Sequence, residues 1–212
     1  MKGNVGVAMV MVAVVTGCGA ATPGEAQQQS TVVTAQQAAS SVAPLLLSEY
    51  VEGSGHNKAV ELVNPLHGDV DLAGYQLRLW SNGASAPTAV LALEGTLGGE
   101  HTLVVCHPQA DAALLGRCDL TDERVAAFNG NDALELVYVG TTVRVLDTFG
   151  DVQPQAPFWG SGRTRTQDAT LRRGCDVVDG AHRFPSRFDP ALEWEAAAED
   201  DFSNVGLWHC RS

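Results

Sequence analysis

The chain has 212 residues, with 13 Lys and Arg against 25 Asp and Glu for a formal net charge of −12. A hydrophobic content of 45% supplies a buried core and excludes wholesale disorder. The acidity argues against a dedicated duplex-DNA binder, whose affinity comes from neutralising phosphates, and the length fits one domain, with or without a tail.

Lys2 is the one positive charge before residues 5–15, an apolar run interrupted only by small residues. Eleven residues fall short of the roughly twenty that span a hydrocarbon core, so the run reads as the apolar region of a signal peptide over residues 1–17. It ends in Val15-Thr16-Gly17-Cys18, which resembles the bacterial lipobox. That resemblance implies cleavage before Cys18 and acylation of its thiol and amine. Chains contributing about 0.8 kcal/mol per buried methylene would then hold a soluble domain on a membrane. Gly19 is not the aspartate that commonly retains such proteins at an inner membrane. The expected destination is therefore an outer membrane, with the domain at the cell surface or in the periplasm.

Residues 18–43 contain no aromatic residue and one charge, Glu25, and show neither helical nor strand periodicity. Such a segment buries too little surface to offset its ordering entropy and reads as a flexible tether. From Pro44 to the C-terminus the pattern is that of a folded domain. Apolar β-rich runs at 45–51, 59–63, 75–80, 89–93, 101–106, 133–139 and 143–149 are separated by turn residues, among them Asn82-Gly83, Gly98-Gly99 and Asn129-Gly130. Residues 76–79, Gln-Leu-Arg-Leu, alternate as a half-buried strand does. Seven such strands predict an all-β antiparallel sandwich or barrel. Residues 111–115 are the one plausible helix, residues 169–172 a further strand, and the remainder beyond Phe149 a loop-rich extension.

With Cys18 acylated, Cys106, Cys118, Cys175 and Cys210 remain, an even number in an exported chain and so a disulfide framework. Pairing in chain order, Cys106 with Cys118 and Cys175 with Cys210, closes the shorter loops and is the expected connectivity. Neither pair has the spacing of a zinc site, and no metal or small-molecule cofactor is expected.

Five segments carry a family resemblance: SEYVEGSGHNKAVELVNP (48–65), VDLAGYQLRLWSNG (70–83), FNGNDALELV (128–137), TLRRGC (170–175) and FDPALEW (188–194). In this order they resemble the bacterial lamin-tail domains found beside secreted nucleases and on surface lipoproteins. The resemblance implies an immunoglobulin-like sandwich and a non-catalytic module that binds protein, glycan or nucleic acid. Read physically, Lys58 lies among Glu49, Glu52 and Glu61 and is expected to neutralise one of them. Tyr75 opens a strand with its ring in the core. Asn129–Asp132 side chains serve the local backbone. Trp80, Trp159, Trp194 and Trp208 read as core or loop anchors rather than a sugar-stacking platform.

The chain contains no G-x-S-x-G, H-E-x-x-H, P-loop or dinucleotide motif. Asp69 with Asp71, and Asp200 with Asp201, read as solvated acidic turns. His56 is the histidine to test as an acid or base, and it reads as an exposed loop residue. One segment opposes the global charge: Arg163, Arg165, Arg172, Arg173, Arg183 and Arg187 lie within 25 residues. Guanidinium groups bind carboxylate and phosphate bidentately, so Arg163, Arg165, Arg172 and Arg173 are candidate anion contacts. Internal pairing with the acidic stretch 193–201 is the favoured alternative for the same groups. The function expected is a lipid-anchored binding or adhesion module. A cryptic hydrolase or nuclease accessory and a structural envelope component are the two alternatives.

Overall fold

The computed structural model describes residues 42–152, 157–208 and 210. The expected signal sequence, Cys18 and the tether up to residue 41 lie outside the described residues. The strands begin with β1 (Leu46–Glu52), β2 (Lys58–Val63), the two-residue β3 (Val70–Asp71) and β4 (Tyr75–Trp80). Next come β5 (Ala89–Ala92), β6 (Thr96–Leu97) and β7 (Thr102–Cys106). The short helix α1 (Ala112–Leu115) precedes β8 (Leu120–Thr121), β9 (Ala133–Val139) and β10 (Val143–Phe149). The series closes with β11 (Gly160–Ser161), β12 (Thr164–Arg165), β13 (Ala169–Arg173) and β14 (Trp194–Ala197).

Two sheets dominate, a six-stranded one in the order β14-β13-β1-β2-β7-β8 and a four-stranded one in the order β10-β9-β4-β5. All pairings are antiparallel except β7 with β8. One core joins their inner faces: Leu47, Val60 and Leu171 from the first sheet meet Leu77, Leu136 and Phe149 from the second. The protein is thus the all-β sandwich that the strand spacing predicts. The β4 alternation holds: Tyr75, Leu77 and Leu79 are buried, while Gln76, Arg78 and Trp80 face the other side and are half-buried.

β1 departs from simple alternation, because all seven of its residues are buried. A bulge between Leu47 and Glu49 inserts Ser48 as an extra residue, so Leu47 and Tyr50 both reach the core although three positions apart. The opposite face of β1 is covered too. There Val51, Ala59, Val104 and Cys106 pack against Ala110 and Leu114, and against Val205 from the C-terminal segment. The segment beyond Phe149 is therefore less irregular than its composition suggests. It contributes β14, an edge strand within the stretch read as an acidic tail, and a strap that closes a second apolar layer.

Two further differences have local causes. Val42 and Ala43, assigned above to the tether, pack against the core, and the Ala43 N–H donates to the Tyr75 hydroxyl at 2.9 Å. Asp200 is not a solvated turn: it accepts hydrogen bonds from the Ser54 hydroxyl (2.6 Å) and the Asn57 side chain (3.0 Å). Gly53 makes room for it, since a Cβ there would stand 2.1 Å from an Asp200 carboxylate oxygen and displace it. Among the described residues no helix is long and apolar enough to cross a membrane.

Candidate functional site

The most specific polar arrangement in the core is built on the register irregularity of β10. Between Val145 and Asp147 the pairing with β9 shifts, turning the fully buried Asp147 carboxylate toward the other sheet. It accepts from the backbone N–H groups of Leu47, Thr148 and Ala181, each at 2.9 Å. The buried Arg173 guanidinium donates to it as well, at 2.8 and 3.4 Å. Arg173 is held a second time by Glu193 at 3.0 Å, and its guanidinium lies over the Trp194 ring at 4.9 Å. Asp147 thereby fastens β1, β10, β13 and the chain at residue 181 to one another.

Beside this knot lies an apolar groove of about 310 Å³, near the lower end of the range of small-molecule and peptide pockets. Its floor is the start of β1, with Leu46 and Leu47, and its walls include Val63, Val177 and Trp208. Leu66 and Val178 stand on its rim, 41% and 79% exposed. The two charged or hydroxylic side chains that reach it are already engaged. Arg173 is paired as described, and the Ser48 hydroxyl donates to Glu61 at 2.6 Å. The groove is therefore electrically quiet and apolar. Cys175 and Cys210 form its far side, joined at an S–S distance of 2.12 Å.

A second buried group adjoins it. Glu49 and Glu61 are partners across β1 and β2, and both are almost wholly buried beneath the C-terminal strap. Glu49 receives the Arg172 guanidinium at 3.2 Å and the Asn204 side-chain amide at 3.0 Å. Burial raises its pKa above the ordinary carboxyl value, and Asn204 and Arg172 pull it back in part. Glu61 accepts from Ser48 and from the Gly206 N–H at 2.7 Å. Burial is the main reason its pKa is pushed up to about 7, with Glu49 and Asp119 adding to the rise. The folded chain keeps this proton between about 4.5 and 7, where the unfolded chain has released it. Stability contributed at Glu61 therefore falls as pH rises through that window.

The residues singled out in the sequence are distributed as follows. Cys106 lies 1.98 Å from Cys118 in sulfur–sulfur distance, so both cysteine pairs follow chain order. Lys58 selects Glu52, at 2.5 Å, among its three acidic neighbours. Tyr75 is buried. Asp132 accepts from the Asn129 and Asn82 N–H groups, serving local backbone. Trp159 and Trp194 are buried, Trp80 packs edge-on to Phe184, and Trp208 lines the groove. His56 stacks on His107 at 4.5 Å, and burial lowers the His107 pKa. Among the described residues no group of three or more His, Cys, Asp or Glu is arranged to hold a metal ion.

Arg172 and Arg173 take the favoured alternative of internal pairing. Each is consumed by two carboxylates, Arg172 by Glu49 and Asp201, and Arg173 by Asp147 and Glu193. One partner of each belongs to the acidic stretch 193–201, and the more buried partner comes from β1 or β10. Arg165 meets Asp168 at 3.9 Å and donates to the Gln167 carbonyl. Arg163, Arg183 and Arg187 are exposed and enter no ion pair among the described residues. Of these, Arg183 and Arg187 line a small cavity of about 130 Å³ together with Phe188 and Leu192. Sequence reasoning grouped the six arginines by proximity along the chain. A periodicity signal was present in R-F-x-x-R-F (183–188): each Phe is an aromatic anchor, and each preceding Arg is turned outward.

Compared with models of known protein families the chain matches none, and comparison with curated proteins likewise gives no match. The functional reading rests on the geometry above.

Proposed function

We propose that the protein is an exported, lipid-anchored binding module that holds a partner protein at the cell envelope without transforming it. The observation that carries this is the apolar groove with exposed Leu66 and Val178 on its rim. Its two charged or hydroxylic lining side chains are engaged, Arg173 by Asp147 and Glu193 and Ser48 by Glu61, with the buried Arg173 Nε alone left without a partner among the described residues, so it offers chiefly apolar contact area. The proposed occupant is a short polypeptide stretch with apolar side chains flanked by basic residues. Asp176 and Asp179 flank the rim in sequence, and the chain as a whole carries a charge of −12. Two cystines fit a non-reducing, extracytoplasmic setting. The lipobox-like Val15–Cys18 supports the anchor, and the lamin-tail-like segments support an immunoglobulin-like module, at the outer membrane in a cell that has one.

The groove is tested with a synthetic hexapeptide of two leucines between two pairs of lysines, against a control with glutamates in place of lysines. The basic peptide is expected to bind, and Val178→Asp with Leu66→Asp to weaken it by about tenfold or more. Both substitutions are on exposed side chains, so a thermal scan serves as the control for folding. Preference for the acidic peptide, lost on Arg183→Gln with Arg187→Gln, would move the ligand to the arginine cavity and overturn the groove assignment. So would indifference to the rim substitutions. For the anchor, Cys18→Ser is expected to shift the protein from the detergent phase to the aqueous phase. Unchanged partition would remove the lipid from the picture.

A further inference from the structure

The C-terminal strap, residues 201–208, lies across the outer face of the six-stranded sheet and ends in the groove wall. Four contacts seat it. Val205 is buried in the second apolar layer beside Val51 and Leu114. Asn204 donates to Glu49, and the Gly206 N–H to Glu61. From the side, the Arg117 guanidinium donates to the Val205 carbonyl at 3.1 Å. Gly206 is in the left-handed region at φ +83°, which side-chain-bearing residues rarely adopt, and this bend aims its N–H at the carboxyl below. Two residues later Trp208 lines the groove, and Cys210 is bound to Cys175 on its opposite side.

The charges beneath the strap do not balance. Glu49 from β1, Glu61 from β2, Asp119 from the stretch before β8 and Asp201 from the strap itself face the same region. Against them stands Arg172 from β13, already shared between Glu49 and Asp201. Arg117 is spent on backbone carbonyls. Glu61 has no cation among the described residues. Its two partners, the Ser48 hydroxyl and the Gly206 N–H, both donate to it and offset part of the cost of burial, but neither carries the charge that would balance an ionised carboxylate. An ionised Glu61 would be a buried, uncompensated charge beside a second carboxylate, an arrangement relieved by letting in water.

We propose that Glu61 is the proton-operated seat of the strap: neutral, it holds residues 203–207 down and keeps Trp208 in the groove wall; ionised, it releases them and opens the groove. This regulation rests on the groove reading above. The cystine at Cys210 limits the motion to a hinged lift, because the far end stays tied to Cys175.

Hydrogen exchange read by mass spectrometry on the full chain tests the strap without any ligand. Rates for residues 203–207 are compared with β9 and corrected for the base-catalysed rise common to all amides. Between about pH 5.5 and pH 8.5 the corrected rate is expected to rise about tenfold or more in the natural protein. In Glu61→Gln, whose amide donates to Ser48 and accepts from Gly206, the rise is expected to stay below about twofold. Glu49→Gln removes the like charge that helps to raise the Glu61 pKa and is expected to move the transition to lower pH, toward the ordinary carboxyl range.

 Equal pH responses in the natural protein and Glu61→Gln, or a Glu49→Gln transition that does not move down, would overturn the seat. The basic hexapeptide separates this from the groove reading. If it binds at neither pH while the exchange pattern holds, the groove fails and the strap stands. If it binds equally at both while exchange is flat, the strap fails and the groove stands.

Discussion

Asp147→Ala is expected to destabilise the fold by about 3–5 kcal/mol, the cost of stranding a buried charge when its partner is removed. The substitution leaves Arg173 without its closest carboxylate and removes the acceptor for three backbone N–H groups, those of Leu47, Thr148 and Ala181. Arg173→Met is expected to cost less, because Asp147 keeps those three donors and a long apolar side chain still packs on Trp194. Replacing both residues by apolar ones does not restore the loss, since the same three N–H groups stay buried without an acceptor. Urea unfolding of the four proteins measures this order. An Asp147→Ala variant within about 1 kcal/mol of the natural protein would show that the knot does not hold the sheets together.

The second large effect is expected at Tyr50. Its ring is fully buried, stacked on Phe149 at 4.2 Å and on Phe128 at 4.9 Å between centroids. Tyr50→Ala empties the space between the two sheets and is expected to cost about 3–5 kcal/mol. Tyr50→Phe keeps the stack and loses a hydroxyl bond to the Asn129 carbonyl, long at 3.3 Å, so its cost is expected to stay below about 1.5 kcal/mol. Denaturant midpoints separate the two, because the ring and the hydroxyl are removed independently. A Tyr50→Phe variant as unstable as Tyr50→Ala would assign the stability to the hydroxyl and not to the stack.

The strands that positioned this core were legible because their patterns are local. β4, β9 and β10 begin and end where alternation and turn residues place them, and α1 lies within the predicted 111–115. The two-residue strands β3, β6, β8, β11 and β12 carry too few residues to show a period. β14, with Trp-Glu-Ala-Ala, has an amphipathic look suited to a helix or a loop as well as to an edge strand. The groove was not legible at all. Its walls come from β1, β2, the chain after β13 and the end of the strap, and no stretch of sequence holds more than a few of them.

The charged residues show the same division. That Arg172 and Arg173 each take a partner from the acidic stretch 193–201 followed from composition and local charge. Which partners they take did not: Glu49 is 123 residues from Arg172, and Asp147 reaches Arg173 through a bulge that no residue type announces. Conversely, Glu61 reads as one more strand carboxylate until the strap is laid over it.

The sequence by itself determined the layered β architecture and placed four cysteines in the folded domain, because hydrophobic period, turn chemistry and residue counts are properties of neighbours along the chain. Only the tertiary structure decided which carboxylates are matched by a cation and which are left neutral, and where the apolar surface stays uncovered. Those outcomes depend on desolvation and contact between segments from 26 to 145 residues apart, and the energy of a buried charge is set by what lies across from it.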